Sequence, residues 1–394
     1  MSWKKKFVGN WGRLGMKCKL SDICDFRKGK VDVSKLTLKT YISTENMLPN
    51  KGGITEANSL PTIQLTQEYK KGDVLVSNIR PYFKKIWRAK YDGGCSNDVL
   101  VFQGNSNIDG DFLYYVLANG DFFDYSMATS KGTKMPRGDK TSIMQYEVPV
   151  FDVDTQRKIA SVLRCLDEKI ELNSTINKNL EQQAQAIFAN EFLSLDTLPE
   201  GWKQASLIDI ADYLNGLAMQ KYRPTADESG IPVLKIKELR QGCCDNNSEL
   251  CSPSIKSDYI IHDGDVIFSW SGSLLVDLWC GGICGLNQHL FKVTSNKYDK
   301  WFYYAWTKHH LDRFVAVAAD KATTMGHIKR DELAKAEVLI PNEADYNRIG
   351  ALLQPIYEMI ISNRIENKKL AATRDILLPK LMNGEIDMSE VDYE

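Results

Sequence analysis

Two short stretches rich in basic and hydroxyl side chains occupy matching places in the 394-residue sequence, at Ser130–Arg137 and at Lys321–Lys329. Lysine and arginine can neutralise phosphates, and serine, threonine and arginine can also hydrogen-bond to base edges in a groove. A solvated polar loop would have the same composition, so one stretch alone is weak evidence. Two equivalent stretches predict a pair of nucleic-acid contacts, with the candidate residues Lys131, Thr133, Lys134, Arg137, Lys321, Thr323, Thr324, His327 and Lys329.

A second pair of candidate segments follows two apolar runs that begin with Gly-Asp-Val at Gly72 and Gly264. Each run is a turn leading into β-branched residues, which predicts a buried strand. The side chains after the strands differ between the halves. Divergence fits two readers of different short sequences, and it also fits ordinary drift after a duplication. The candidate contacts are Ser77, Asn78, Arg80, Tyr82, Lys84 and Lys85 in the first half and Ser269, Trp270, Ser271 and Ser273 in the second.

Common catalytic signatures are absent from the sequence. It contains no GxxxxGK[ST], GxGxxG, HExxH or GxSxG motif, and no Pro-Pro dipeptide that an amino-methyltransferase signature would need. A metal site could include Cys280, Cys284 and His289, but no fourth ligand is evident. We therefore interpret the two cysteines as buried thiols. His309 and His310 have no repeated counterpart and are interpreted as surface or packing residues. We therefore predict a chain that is not an enzyme and holds no metal or cofactor.

The candidate segments belong to an internal duplication. The segment Leu20–Phe26 matches Leu207–Tyr213, and Tyr114-Tyr115 matches Tyr303-Tyr304. Between these segments, five residues of the first half match five of the second in the same order, namely Gly72, Asp73, Val74, Ser77 and Trp87 with Gly264, Asp265, Val266, Ser269 and Trp279. From Glu147 and Glu337 onward the copies align without a gap, at a constant shift of 190 residues. We infer that a globular segment followed by a long helix occurs twice.

The repeated helix carries a heptad pattern, because apolar residues and two asparagines recur at alternating spacings of four and three. Such a helix cannot bury its seam alone, and the other copy is the obvious partner. The asparagines are either polar residues tolerated near solvent or a device that fixes register and orientation, and we favour register. The predicted pairing residues are Ile159, Leu163, Leu166, Ile170, Asn173, Asn177, Leu180, Ile349, Leu353, Ile356, Ile360, Asn363, Asn367 and Leu370.

These patterns predict an α+β fold in which two strand-rich globular domains are separated by two long helices packed as an antiparallel coiled coil. The predicted boundaries are 1–154 for the first globular domain, 155–195 for the first helix, 196–343 for the second globular domain, and 344–394 for the second helix and an acidic tail. Antiparallel helices would hold the two domains apart. No apolar run is long enough to span a bilayer and the N-terminus lacks signal-peptide features, so we expect no membrane association and a cytoplasmic protein.

Overall charge gives little support to nucleic-acid binding, because the net charge is -1 and the pI is about 6.6. The charge is unevenly distributed, however. Lys84, Lys85, Arg88 and Lys90 surround Trp87, whereas the C-terminal residues are acidic. Local patches can still bind phosphate.

The sequence resembles the specificity subunit of a type I restriction-modification system over essentially its whole length. The resemblance rests on the Gly-Asp-Val strands, on Leu-Pro-Glu-Gly-Trp at 198–202, on Asp154–Ala160 opening the first helix, and on Leu377–Ile386 closing the second. One departure is Tyr346-Asn347-Arg348, where the second helix lacks the Gln-Arg of Gln156-Arg157. This departure questions whether the two helix ends are equivalent.

The resemblance implies two target-recognition domains that each read half of a split DNA site, with the helices acting as a ruler. It also implies that the helices dock two DNA adenine methyltransferase subunits, which bind S-adenosylmethionine, and that a restriction subunit joins for ATP-dependent cleavage. Two other interpretations remain open. One is the specificity subunit of a methylation-only system, and the other is a coiled-coil adaptor with two protein-binding domains.

Overall fold

The computed structural model describes residues 16–245, 247–320, 328 and 330–391. The chain forms two compact units, and neither is continuous in sequence. The first comprises the described residues up to Glu168 and those from Ala371 onward, and the second is Lys169–Leu370. Each unit therefore contains one globular segment, the beginning of the long helix that follows it, and the end of the other long helix. No helix in the described part of the chain is both long and apolar enough to cross a membrane.

The first unit contains ten strands and a few short helices before its long helix. The strands are β1 (Lys17–Lys19), β2 (Cys24–Phe26), β3 (Lys30–Asp32), β4 (Tyr41–Ile42), β5 (Leu65–Tyr69), β6 (Val74–Ser77), β7 (Ile86–Arg88), β8 (Gly93–Cys95), β9 (Val99–Gly104) and β10 (Glu147–Pro149). The helices are α1 (Leu20–Ile23), α2 (Gly110–Ala118), α3 (Gly120–Ala128), α4 (Lys140–Ile143) and the long helix α5 (Val153–Phe188), which begins in this unit and ends in the second.

The second unit has a similar order of elements, with differences between its second and sixth strands. Its strands are β11 (Lys203–Ser206), β12 (Asp212–Asn215), β13 (Ile231–Leu234), β14 (Leu250–Cys251), β15 (Ile260–Ile261), β16 (Val266–Ser269), β17 (Leu275–Leu278), β18 (Cys284–Leu286), β19 (Leu290–Thr294) and β20 (Glu337–Ile340). Its helices are α6 (Leu207–Ile210), α7 (Ile236–Gln241), α8 (Lys300–His309), α9 (Leu311–Asp320), α10 (Arg330–Ala334) and the long helix α11 (Glu343–Met382), which begins in this unit and ends in the first.

Sheet topology follows the same plan in both units. A four-stranded antiparallel sheet has the order β2-β9-β6-β7 in the first unit and β12-β19-β16-β17 in the second. A second sheet shares the core order β5-β8-β4 and β15-β18-β13, and a two-stranded ladder joins β1 to β10 and β11 to β20. The outer strand of the second sheet differs, because β3 pairs with β5 whereas β14 pairs with β13. The mixed α and β fold predicted from the sequence is confirmed.

One element of the sequence alignment is wrong. We matched Trp87 to Trp279, but the Asp73 carbonyl accepts the N–H of Ala89 at 2.8 Å and the Asp265 carbonyl accepts the N–H of Trp279 at 2.8 Å. Ala89 is therefore the structural equivalent of Trp279. The error arose because the connection from β6 to β7 is two residues longer than its counterpart, so an identical residue type fell in register by coincidence.

Each long helix begins with a polar cap at an equivalent residue. The Asp152 carboxylate accepts the N–H of Thr155 at 2.8 Å, and the Asn342 side-chain oxygen accepts the N–H of Asp345 at 2.9 Å. These side chains satisfy amide groups that have no partner inside the helix. Pro149 and Pro341 lie shortly before the caps, as the sequence indicated.

The long helices contribute to the hydrophobic cores of both units. Ile159, Leu163, Leu378 and Leu381 are buried in the core of the first unit. In the second unit the beginning of α11 and the end of α5 supply Ile349, Leu353 and Phe188, the equivalents of Ile159, Leu163 and Leu378, together with Ala184. Burial of these side chains, at roughly 1.5–3 kcal/mol each, binds the helices to the globular segments as well as to each other.

Candidate nucleic-acid interface

Two candidate segments that are about 50 residues apart in sequence lie together in the first unit. The N–H of Arg80 donates to the carbonyl of Pro136 at 2.8 Å, and the N–H of Gly138 donates to the carbonyl of Asn78 at 3.2 Å. Lys131 and Arg137 exchange backbone hydrogen bonds of 2.9 Å, which closes the second loop. The loop after β6 and the loop before α4 therefore form one surface.

A third loop, which the sequence did not single out, joins this surface. The N–H of Asn50 donates to the Phe83 carbonyl at 2.8 Å, and the N–H of Lys51 donates to the Lys84 carbonyl at 2.9 Å. The Lys51 ammonium, which is largely buried, forms a 2.7 Å ion pair with Asp375 of α11. Nothing in the local sequence indicates this role, because its partners lie in distant segments.

Exposure separates the basic residues of the first unit into two groups. Thr133 and Lys134 are exposed at the tip of their loop. Lys131 and Arg137 are also exposed but form ion pairs with Asp139 and Asp98, and the Arg137–Asp98 distance is 3.2 Å. Exposed ion pairs of this kind contribute about 0–1 kcal/mol, so a phosphate can replace the carboxylate at little cost.

Lys85 points inward. Its ammonium donates to the Thr44 carbonyl at 2.6 Å, and burial lowers its pKa. We assign it a positioning role. Lys84 has no ion pair with another described residue.

The second unit joins its loops by the equivalent hydrogen bond. The N–H of Ile328 donates to the Trp270 carbonyl at 3.0 Å, and these residues correspond to Gly138 and Asn78. The candidate residues Lys321, Thr323, Thr324, His327 and Lys329 lie outside the described residues. The backbone hydrogen bond that anchors their loop nevertheless lies at the same position as in the first unit.

Trp270 occupies the second interface as a partly buried ring. Its Nε1 donates to Asn215 at 2.9 Å, and its ring stacks on Phe291 with centroids 5.6 Å apart. Ser271 is buried and its hydroxyl lies 3.1 Å from His289 Nδ1. The short loop also contains Ser273, whose carbonyl accepts a hydrogen bond from Ser269 at 2.9 Å.

Ser77 and Ser269 have a structural role in place of the predicted contact with nucleic acid. Both are buried, and their hydroxyls donate to the carbonyls of Ile79 at 3.2 Å and Ser271 at 3.3 Å. These equivalent bonds turn the chain after each strand, and a buried hydroxyl engaged in this way cannot reach a base edge. Ser271 is likewise reassigned, because its side chain is enclosed.

The four seam asparagines form a network with approximate two-fold symmetry within the second unit. Asn173 donates to the Asn367 side-chain oxygen at 2.9 Å, and Asn363 donates to the Asn177 side-chain oxygen at 2.8 Å. Asn367 and Asn177 in turn donate to the carbonyls of Ile170 at 3.3 Å and Ile360 at 3.2 Å. These pairs run in opposite chain directions, so α5 and α11 are antiparallel here.

The remaining predicted seam residues are buried or half-buried. Ile159, Leu163, Ile349, Leu353 and Ile360 are buried, and each belongs to the core of its own unit. The half-buried residues among them are Leu166, Ile170, Leu180, Ile356 and Leu370, and Asn367 of the asparagine network is also half-buried.

The departure at Tyr346 preserves the function of its counterpart. Gln156 accepts the N–H of Asp109 at 2.8 Å through its side-chain oxygen, and the Tyr346 hydroxyl accepts the N–H of the equivalent Asp299 at 2.8 Å. Each bond joins the start of a long helix to the residue that precedes α2 or α8. The starts of the two long helices therefore make the same contact, one through an amide side chain and the other through a phenol hydroxyl.

Cys280, Cys284 and His310 pack in the interior, whereas His309 is exposed. Cys280 and Cys284 are buried and reduced, and burial raises the pKa of Cys280 to about 11. His310 is buried against Trp306 and Phe314, and its Nε2 lies 2.8 Å from the Glu337 carbonyl. Burial lowers the pKa of His310 to about 4.

Comparison with known proteins agrees with this architecture. The family model described as "Type I restriction modification DNA specificity domain" matches twice, over residues 15–182 and 199–372. The type I restriction enzyme MjaIX specificity subunit of Methanocaldococcus jannaschii is 26% identical over 82% of this chain and 79% of that protein. The HindI specificity subunit of Haemophilus influenzae is 22% identical over 93% of this chain and 98% of that protein.

A solved structure supports the fold. The S subunit of a type I restriction-modification system from M. genitalium covers 97% of this chain and 99% of its own, with a TM-score of 0.56 and 14% identity. The chain belongs to the family of type I restriction-modification DNA specificity subunits. It is a non-catalytic DNA-recognition subunit, and subunits of this kind assemble with others into the complete system.

Proposed function

We propose that this chain reads a bipartite, non-palindromic DNA target, one half with each unit, and that the paired long helices set the spacing between the halves. The observation that carries the proposal is the equivalent loop junction, Gly138 to Asn78 in one unit and Ile328 to Trp270 in the other. Two surfaces with the same backbone anchor and different side chains suit two half-sites of different sequence.

We also propose that the helices recruit two DNA adenine methyltransferase subunits and that a restriction subunit can join them. S-adenosylmethionine and ATP would then bind to those partners, leaving this chain without a cofactor. The assembly would act on DNA in the cytoplasm. Basic surface on the partners would offset the near-neutral charge of this chain, so the assembled complex should bind DNA with a steep salt dependence and the isolated chain should bind weakly.

Methylation mapping tests the proposed function. The chain is co-expressed with its methyltransferase subunit, and methylated adenines are mapped across the host genome. A split motif with a fixed unspecified spacer is expected. Formation of the complex without any new methylation would contradict the proposal.

The ruler part of the proposal has its own test. One heptad is inserted at equivalent positions of α5 and α11, which preserves the seam while lengthening both helices by about 10 Å. The spacer should lengthen by about three base pairs, at about 3.4 Å per pair, while both half-sites stay the same. A spacer of unchanged length would contradict the ruler.

A further inference from the structure

The loop between β6 and β7 differs in length and backbone conformation from its counterpart in the second unit. Ser77 pairs with Lys85 across the first loop, and Ser269 pairs with Leu275 across the second. The connection is therefore residues 78–84 in one unit and residues 270–274 in the other. The loop of the first unit is two residues longer at the candidate DNA surface.

Two non-glycine residues in the longer loop adopt left-handed backbone conformations. Arg80 has φ +50° and Lys84 has φ +51°, and they flank a short 3₁₀ turn, Pro81–Phe83. Gly272, at the position of Arg80, has φ +65°. A side chain in this conformation costs roughly 1–2 kcal/mol relative to glycine. The first unit therefore has a strained backbone at Arg80, whereas glycine at the same position of the second unit avoids the strain.

The turn displays two neighbouring aromatic rings to solvent. Tyr82 is 50% exposed and Phe83 is 38% exposed, and their ring centroids are 4.7 Å apart. The turn is rigid because its own bonds, Phe83 N–H to Arg80 carbonyl and Lys84 N–H to Pro81 carbonyl, are supplemented by the bonds to the two neighbouring loops. Strained backbone clusters at functional sites, and adjacent exposed apolar side chains can form an interaction surface.

The surroundings of the rings are basic, which indicates the kind of ligand. Arg80 and Lys84 flank the turn, and Lys134 is exposed on the loop that Pro136 joins to it. Cationic groups around an exposed aromatic pair suit a phosphate backbone with bases beyond it, since aromatic rings stack on bases whatever the sequence. Rigid apolar side chains can also enter a base step and unstack it.

We propose that Tyr82 and Phe83 form a wedge that enters a base step in one half-site, so that the first unit reads DNA deformability as well as base edges. The wedge deepens the bipartite function proposed above and rests on it. The second unit has no equivalent among its described residues, because Trp270 is already stacked on Phe291 and Gly272 replaces Arg80. The wedge is therefore proposed for the half-site that the first unit reads.

The experiment uses the complex of the full chain with its methyltransferase subunit. The DNA is a duplex carrying the mapped split motif, with 2-aminopurine placed in turn at each step of both half-sites except at the methylated adenines and their immediate neighbours, which a methyltransferase unstacks by extruding its target base. Wild-type complex should raise the fluorescence several-fold at one step of one half-site. The Tyr82→Ala/Phe83→Ala double variant should abolish that rise and weaken binding about 10- to 100-fold, as expected for loss of base stacking.

Two controls separate stacking from charge and from folding. Ile63→Ala removes a 50% exposed apolar side chain of the same unit outside the three loops, and should behave as wild type. Lys84→Gln should reduce the slope of log affinity against log salt by about one, whereas the double aromatic variant should leave the slope unchanged.

The outcomes distinguish the wedge from the function on which it rests. If wild-type complex methylates a split motif but no 2-aminopurine responds in either half-site, the wedge is wrong and the proposed function stands. If the double variant loses the methyltransferase subunit and keeps its DNA affinity when that subunit is in excess, the rings bind protein and the wedge is also wrong. If wild-type complex neither methylates nor binds DNA specifically, both proposals fail.

Discussion

At the left-handed position after the recognition strand, the first unit carries Arg80 and the second carries Gly272. The anchors around that position are the same in both units, namely a serine hydroxyl bonded to the chain two residues ahead and a backbone bond from the following loop. The difference teaches that the same backbone junction accommodates loops of different length and different side chains. The two long helices, in contrast to the two loops, are alike. Their alignment has no gap, and Tyr346 makes the contact in the second helix that Gln156 makes in the first.

The largest expected effect comes from equivalent core leucines of the two helices. Leu163→Ala and Leu353→Ala each empty a fully buried position, so each should reduce the free energy of unfolding by roughly 2–5 kcal/mol. Thermal or urea unfolding of the two variants measures the loss. The neighbouring Leu352→Ala, at a side chain that is 46% exposed, should cost less than about 0.5 kcal/mol. A harmless Leu163→Ala would show that the two helix starts are not equivalent.

Acid should destabilise the second unit more than the first. His310 has Gly120 as its counterpart, and its folded pKa of about 4 lies below the unfolded value of 6.5. The unfolded chain binds more protons between these values, so stability falls as the pH is lowered through that range, by about 2 kcal/mol at pH 5. Urea unfolding followed by tryptophan fluorescence at pH 7 and pH 5 measures this loss.

The matched control for the acid prediction is His310→Gln, which cannot titrate. Its unfolding free energy should depend less on pH by about the same amount. Equal pH dependence in wild type and variant would show that His310 does not cause the acid sensitivity.

Replacing the equivalent asparagines tests whether the polar network fixes helix register. The double variant Asn173→Leu/Asn363→Leu removes both donors to the partner asparagines, so that the side-chain oxygens of Asn367 and Asn177 lose these hydrogen bonds. Each unpaired oxygen should lower the free energy of unfolding by about 1–3 kcal/mol. Cysteines at Lys169 and Glu366, whose side chains form an ion pair, report the native register by disulfide formation in a Cys165→Ser background. Cross-linking between Lys169→Cys and Met359→Cys reports a one-heptad slip.

We expect the slipped cross-link to appear only in the double leucine variant. The same chain with both asparagines intact should form only the native cross-link. A double variant that forms the native cross-link alone would remove the register role from the asparagines and leave them as tolerated polar residues.

The smallest expected effect is at the start of the second helix. Tyr346→Phe deletes the hydroxyl that accepts the Asp299 N–H and should cost about 1 kcal/mol of stability. Gln156→Leu removes the equivalent acceptor from the first unit and should cost a similar amount, measured by urea unfolding. If Tyr346→Phe leaves the free energy of unfolding unchanged, the shared hydrogen bond does not contribute to stability.

The sequence predicted the repeated plan because its signals are periodic. The heptad seam, the Gly-Asp-Val turns and the constant shift of 190 residues all follow from local rules, and the asparagine pairs were evident from spacing alone. Residues whose role depends on distant partners were not predictable. Lys51 is held by Asp375, which is 324 residues away, and no local pattern connects them. The domain boundaries drawn from the sequence stay predictions.

Side-chain burial was the main limit at the candidate site. Ser77, Ser269 and Ser271 have the right chemistry for base contacts, but the structure encloses them, and a one-dimensional pattern of polar residues cannot show enclosure. The aromatic pair was only half recognised. Tyr82 was a candidate and Phe83 was not, because the left-handed turn that displays both is a backbone property that non-glycine residues do not indicate.

Domain exchange tests the central claim most directly. Residues 196–343 are replaced by the equivalent segment of a relative with a different target, the hybrid is co-expressed with the methyltransferase subunit, and methylated adenines are mapped. Independent reading by two equivalent units predicts that one half of the motif changes while the other half and the spacer remain. A change in both halves, or in neither, would contradict the account.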